Sequence, residues 1–168
     1  MSKSRLILFI AAIMLLASCG ADKNLKKGEK FLALGEYYDA ANEFKQAYAK
    51  TPAKERDKRG QIATKMAYAY ARINSSQRSI ASFRNQIRYK QDSLSTHLAF
   101  ARQLLRNGEY KEAAKEFQWV LDSMPDNELA KNGLQSAQMA PEWKKEGSRY
   151  TVKRMDVFNS RRADYSPM

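Results

Sequence analysis

The sequence holds a single cysteine, Cys19, and a single histidine, His97. Either residue type can serve as a nucleophile, a base or a metal ligand, but those chemistries need partners. A thiolate must be paired with an imidazole, and an ion needs three or four ligands around it. No second Cys or His exists to complete a metal site, and one helical His is far more often a packed side chain than a base. No glycine-rich phosphate loop is present, and the carboxylates are scattered along polar helix faces. These residues predict no enzyme, no metal site and no small-molecule substrate.

What remains for Cys19 is chemistry done to it. Residues 1–20 run MSKSRLILFIAAIMLLASCG, with Lys3 and Arg5 as a basic start and Leu6 to Leu16 as an apolar run of eleven residues. That run falls short of the ~20 residues of a spanning helix and has the layout of an export signal. Leu16-Ala17-Ser18-Cys19 resembles the lipobox of bacterial lipoproteins at every position. The resemblance implies removal of residues 1–18, a diacylglycerol thioether on the Cys19 sulfur and an acyl chain on its new amine. Covalent lipid would then be the only cofactor. Several acyl chains anchor stably, because each buried methylene adds ~0.8 kcal/mol. A lone cysteine also has no internal disulfide partner in an exported protein. Gly20 stands where enteric bacteria place an Asp for inner-membrane retention, so the expected location is the outer membrane. The periplasmic face is the reading taken, and Gly20-Ala21-Asp22 leaves the external face open as the alternative.

Thirty Lys and Arg against eighteen Asp and Glu give a formal charge of +12. Such an excess ordinarily points to nucleic acid, which an exported, lipid-anchored chain would not meet. Four of the lysines, Lys23, Lys26, Lys27 and Lys30, follow Cys19 closely at i, i+3, i+4 and i+7. They share one helix face near the anchor, where each basic residue can add ~1 kcal/mol against anionic lipid. The expectation is a membrane-facing surface; the alternative is a solvated cap.

The elements that carry these residues are marked by a repeated phrase. Gly35 to Phe44 reads GEYYDAANEF, and 73 residues later Gly108 to Phe117 reads GEYKEAAKEF. Ala40, Phe44, Ala47 and Tyr48 recur at helical steps, as do Ala113, Phe117, Val120 and Leu121. Each helix follows a Gly-Glu-Tyr turn and ends near a proline, Pro52 or Pro125. Helix, turn, helix and proline at a period of ~34 residues resembles the tetratricopeptide repeat. Gly28 and Phe31 match the first helix of the first copy, and Ala101 matches that of the last. A middle copy lies between them, shifted 34 residues back from the last, with Ala67, Tyr70 and Phe83 at the family's small and aromatic sites. There Asn74 replaces the turn glycine, Ser79 and Gln86 replace alanines, and Gln91 replaces proline. The five residues by which 73 exceeds two periods fall in Ala53 to Gly60, which is expected to lengthen a helix.

The fold expected is all-α: a solenoid of three tetratricopeptide repeats, about 21–54, 55–93 and 94–127, closed by a capping helix at 128–140. Asp126 or Asn127 is its N-cap. Seven helices and one continuous core follow from this reading. At Pro141 the helical pattern is expected to stop, leaving residues 141–168 as an irregular linker and a short strand around Tyr150, Val152, Met155 and Val157.

Asn159 to Pro167, NSRRADYSP, resembles the opening of a blade in TolB-like β-propellers. A lipobox, a tetratricopeptide array and a propeller opening in this order resemble the N-terminal part of Bacteroidota OmpA-family lipoproteins, notably the PorE-type component of the type IX secretion system. That resemblance implies an envelope scaffold within a secretion or assembly complex, of which the sequence is a fragment stopping where the propeller would begin. Its alternative is a stand-alone tetratricopeptide lipoprotein for outer-membrane protein assembly, or a pilotin. An accessory to peptidoglycan processing would need an unseen domain. The expected partners are envelope proteins, with the membrane met through the lipid.

By the family's pattern the first helix of each repeat lines the concave face. The positions facing that groove are Lys26, Leu32, Lys65, Tyr68, Arg72, Leu98, Arg102 and Arg106, five of them basic and none acidic. The groove is expected to take an acidic or carboxylate-bearing segment of another protein. It does not reproduce the carboxylate clamp of co-chaperone tetratricopeptide domains, since Leu25 and Glu29 stand where Lys and Asn would be needed.

Overall fold

A computed structural model describes residues 20–147 and 150–151 of the chain. Among the described residues there are seven helices and no strand. Helix α1 covers 20–33, followed by α2 (Tyr37–Lys50), α3 (Arg56–Arg72), α4 (Ser76–Arg88), α5 (Leu94–Asn107), α6 (Tyr110–Ser123) and α7 (Glu128–Glu146). Each helix from α2 onward packs on the next in sequence, and α5 also touches α7. The helices pair as α1–α2, α3–α4 and α5–α6, with α7 covering the end of the array. None of them is long and apolar enough to cross a membrane.

The turn inside each pair is built the same way. The N–H of Glu36 donates to the Phe31 carbonyl at 2.9 Å, that of Ser75 to Tyr70 at 3.0 Å, and that of Glu109 to Leu104 at 2.9 Å. Each bond closes a Schellman motif, whose central residue must be left-handed. Gly35 (φ 77°), Asn74 (φ 57°) and Gly108 (φ 82°) occupy that place. The repeated Gly-Glu-Tyr therefore ends one helix and starts the next, and Asn74 does the same in the middle copy. The extra length falls largely in α3, which has 17 residues against 14 in α5. The Asn127 side chain caps α7 by accepting from the Ala130 N–H at 3.0 Å.

Two expectations need correction. The core is not continuous but divided in two. One cluster joins Ala40, Phe44 and Ala47 to Ile62, Met66 and Tyr70; the other runs from Ala67 and Phe83 through Phe100, Leu104 and Phe117 to Ala130 and Ala137. Helix α3 buries residues on opposed faces, so it separates the clusters while serving both. The second correction concerns Pro141, which does not stop α7. The helix continues to Glu146 and ends at Gly147, φ 70°. A proline removes one N–H and its ring crowds the carbonyl four residues back, which bends a helix without ending it where residues compatible with a helix follow. Glu142 to Glu146 are such residues. Of the strand expected beyond, Val152, Met155 and Val157 lie outside the described residues, and Tyr150 lies in a bend.

Close helix contact explains two further glycines. A Cβ on Gly28 would sit 2.6 Å from the Phe44 ring, and one on Gly133 would overlap the Phe117 ring. Phe44 of α2 and Phe117 of α6 thus lie against the bare backbone of a neighbouring helix.

Candidate partner-binding cleft

Basic groove residues gather where the second and third repeats meet. Tyr68 and Arg72 on α3, Arg102 and Arg106 on α5, and Tyr37 at the start of α2 line a cleft of ≈ 420 Å³. Ala71, Asn74, Ala99 and Gln103 complete its walls. No acidic side chain is among them. Parallel α3 and α5 present their residues at three- and four-residue steps on one side, which is why 68, 71 and 72 meet 99, 102, 103 and 106.

Two of the guanidinium groups, those of Arg72 and Arg106, are held in place by neutral partners, and Arg102 is exposed. Arg72 Nη2 donates to the Tyr37 hydroxyl at 3.0 Å and its guanidinium lies 4.8 Å from the Tyr37 ring centroid. Arg106 Nη2 donates to Asn74 Oδ1 at 2.6 Å. Tyr68 stands edge-on to Phe83 with centroids 5.5 Å apart. Among the described residues none of Arg72, Arg102 and Arg106 pairs with a carboxylate. Guanidiniums without counter-charges, two of them already positioned, favour an anionic ligand that can accept forked hydrogen bonds.

Gln103 adds a feature that the sequence pattern did not single out. Its side chain is buried, 7% exposed, and its Oε1 has no hydrogen-bond partner. Gln86 Oε1 is buried without a partner in the same way. Both oxygens are shielded from solvent, so Gln103 adds a buried polar wall to the cleft and not an acceptor offered to a ligand. Tyr37 and Asn74 were likewise missed, because they come from α2 and from a turn rather than from the helices expected to line the groove. Gln103 could have been found: it lies one residue from Arg102 and three from Arg106.

Other expected positions lie elsewhere. Lys65 pairs with Glu29 at 2.9 Å, so this part of the concave face is charge-compensated. Lys26 is exposed on α1 and does not line the cleft. Leu32 and Leu98 pack against the two cores. Lys23 and Lys30 are exposed, whereas Lys27 pairs with Glu43 of α2 at 2.5 Å. The Lys27 ammonium, with help from the Asn24 amide, holds the Glu43 carboxyl below the usual carboxylate range. Cys19 lies outside the described residues.

His97 is a packed residue. It is buried on α5, stacks on Trp119 with ring centroids 3.8 Å apart, and sits between Glu116 (Nδ1, 2.6 Å) and Asp92 (Nε2, 3.1 Å). Among the described residues no cluster could hold a metal ion.

No family model matches the chain, and no curated protein matches it. Solved structures do match. The C-terminal TPR-containing domain of a Plasmodium falciparum FK506-binding protein aligns at TM-score 0.63 and 14% identity, over 78% of this chain and 94% of that one. The chain has the tetratricopeptide fold. The Sgt2 TPR domain of Aspergillus fumigatus aligns with this solenoid at TM-score 0.56 and 17% identity, over 81% and 88% of the two chains. The first TPR of Spaghetti (RPAP3), bound to the HSP90 peptide SRMEEVD, aligns at 0.59 and 20%, over 74% and 95%.

Proposed function

We propose that the chain is a lipid-anchored envelope scaffold whose tetratricopeptide solenoid binds a carboxylate-bearing segment of a partner protein. The observation that carries the binding role is the cleft: three guanidiniums, Arg72, Arg102 and Arg106, without counter-charges and with no acid among the lining residues. An extended acidic peptide can answer that demand by giving carboxylates to the arginines. The acidic HSP90 peptide on the Spaghetti domain is a precedent for the ligand class on this fold, though the residues here differ.

The anchor and location are read from Leu16-Ala17-Ser18-Cys19. On this reading the scaffold belongs to the outer membrane on its periplasmic side and, from the order of lipobox, repeats and propeller-like opening, to a secretion or assembly complex of the type IX kind. Fluorescence anisotropy with a labelled short acidic peptide tests the cleft. Arg72→Ala, Arg102→Ala and Arg106→Ala together should weaken binding by about tenfold or more, since hydrogen bonds to charged groups contribute ~1.5–3 kcal/mol each. Equal affinity of the triple variant and the wild-type chain would refute the cleft as the binding site.

A further inference from the structure

Helix α1 begins beside Cys19, so the surface around its first turn is the part nearest to any lipid attached there. That surface extends well past α1. Gly20 lies against the stem of Lys50, whose Nζ donates to Asn24 Oδ1 at 2.7 Å. Lys58 pairs with Asp22 at 2.7 Å, and Arg56 Nη2 reaches the Arg88 carbonyl at 3.5 Å. The start of α1, the end of α2, the start of α3 and the end of α4 therefore form one edge.

This edge is basic and indented. A depression of ≈ 670 Å³ within it is lined by Lys54, Arg56, Lys58, Lys90 and Tyr89, against the acids Glu55 and Asp57. Arg56 lies over the Tyr89 ring, 5.6 Å from its centroid. Lys90 follows α4 with φ 57°, a left-handed position where Gly or Asn costs less. The chain thus keeps a cation where strain argues for a smaller residue.

Charge along the edge falls with distance from Gly20. Residues 50–59 carry Lys50, Lys54, Arg56, Lys58 and Arg59 against two acids, whereas the corresponding stretch 123–132 carries Asp126 and Glu128 against Lys131. At the opposite edge, turns 34–36 and 73–75 hold one charge, Glu36.

We infer that this edge is a docking surface for anionic phospholipid headgroups, which seats the solenoid with its helices steep to the bilayer. The inference rests on the reading of Cys19 as the anchor. It makes a different demand from a flat-lying α1. With α1 upright, a rise of 1.5 Å per residue puts Lys30 roughly 15 Å beyond Gly20, farther than the Debye length of ~8 Å. Lys26 and Lys30 then contribute little, and Lys54, Arg56 and Lys90 dominate. Lys27 is already engaged by Glu43.

A chain beginning at Gly20 retains every core contact described above and carries no lipid. Its co-sedimentation with phosphatidylcholine vesicles, with and without phosphatidylglycerol, tests the edge. Binding should require phosphatidylglycerol and weaken with added sodium chloride. K54E/R56E/K90E should weaken it about tenfold or more, and K26E/K30E, farther up α1, less than about twofold. K54E/K90E, which leaves the Arg56–Arg88 contact intact, should move the same way should the triple variant melt early. Unchanged binding of the edge variants, a greater loss in the α1 variant, or equal binding to uncharged vesicles would each overturn the inference. So would displacement by inorganic phosphate beyond that by chloride at the same ionic strength, which would mark a site for free phosphate. Mass spectrometry of the native chain reads the anchor separately. Unmodified Cys19 refutes the anchor alone, and failed vesicle binding by the chain beginning at Gly20, with the native chain found lipidated, refutes the edge alone.

Discussion

In the third repeat, Ala113, Phe117 and Val120 are buried on α6; in the second, Ser79, Phe83 and Gln86 hold the same stations on α4 and are buried as fully. The apolar set needs nothing beyond space. The polar set reaches the same density with its donors finding acceptors, although Gln86 Oε1 is left without a partner. Ser79 Oγ donates to the Ala67 carbonyl at 2.8 Å, and Gln86 Nε2 to the Gln91 carbonyl at 2.8 Å and to Thr96 Oγ1 at 2.9 Å. The repeat therefore demands small volume and a filled aromatic site more than it demands apolar atoms. A polar side chain is accepted wherever a neighbouring helix offers it a partner.

If the two repeats are equally well packed, their aromatics should be equally hard to remove. Phe83→Ala and Phe117→Ala should each destabilise the chain by ~3–5 kcal/mol, the range for deleting a fully buried phenyl ring. Urea denaturation followed by circular dichroism measures both. A cost below about 1 kcal/mol at Phe83 alone would show the middle repeat to be loose and would break the comparison.

A smaller effect compares the turns. Gly108 and Asn74 both hold positive φ, and a residue with a Cβ there costs ~1–2 kcal/mol unless it is Asn or Asp. Gly108→Ala should therefore lower stability by ~1–2 kcal/mol, and Gly108→Asn by less than about 1 kcal/mol. Equal losses in thermal melts of the two variants would mean that Asn74 is kept for its bond to Arg106 and not for its backbone.

The parts of the molecule legible in the sequence are those that depend on neighbours close along the chain. Turn glycines, the alanine and phenylalanine spacing and the substitute Asn74 report local geometry, and the helices sit where they indicate. Pro141 was misleading because a proline after a helical pattern reads as a stop, and only the formers beyond it tell otherwise. The division of the core at α3 was hidden because a helix buried on opposite faces has no single apolar stripe. In the cleft, Arg72, Arg102 and Arg106 followed from the repeat register. Tyr37 and Asn74 did not, since their approach depends on how α2 and a turn lie against α3 and α5. The Lys27–Glu43 and Lys65–Glu29 pairs were out of reach for the same reason: each joins separate helices, and charge tallies along one face cannot register a counter-charge across the contact.

The finest test of the comparison exchanges residues between its two sides. In Ser79→Ala the Ala67 carbonyl loses a second hydrogen bond but keeps its place in α3, so no buried group is stranded. The loss should stay within about 1 kcal/mol, the net value of one neutral hydrogen bond. Ala113→Ser runs the exchange backwards. A shift of 34 residues carries Ala67 to Ala101, so a hydroxyl at 113 should find the Ala101 carbonyl as Ser79 finds that of Ala67. Its cost should also stay within about 1 kcal/mol in urea denaturation. A loss of ~2 kcal/mol or more would be that of a buried hydroxyl without a partner. That outcome would show that the helices of the third repeat sit too close, or too far, for the bond that the second repeat makes, and that the two repeats match in sequence register but not in geometry.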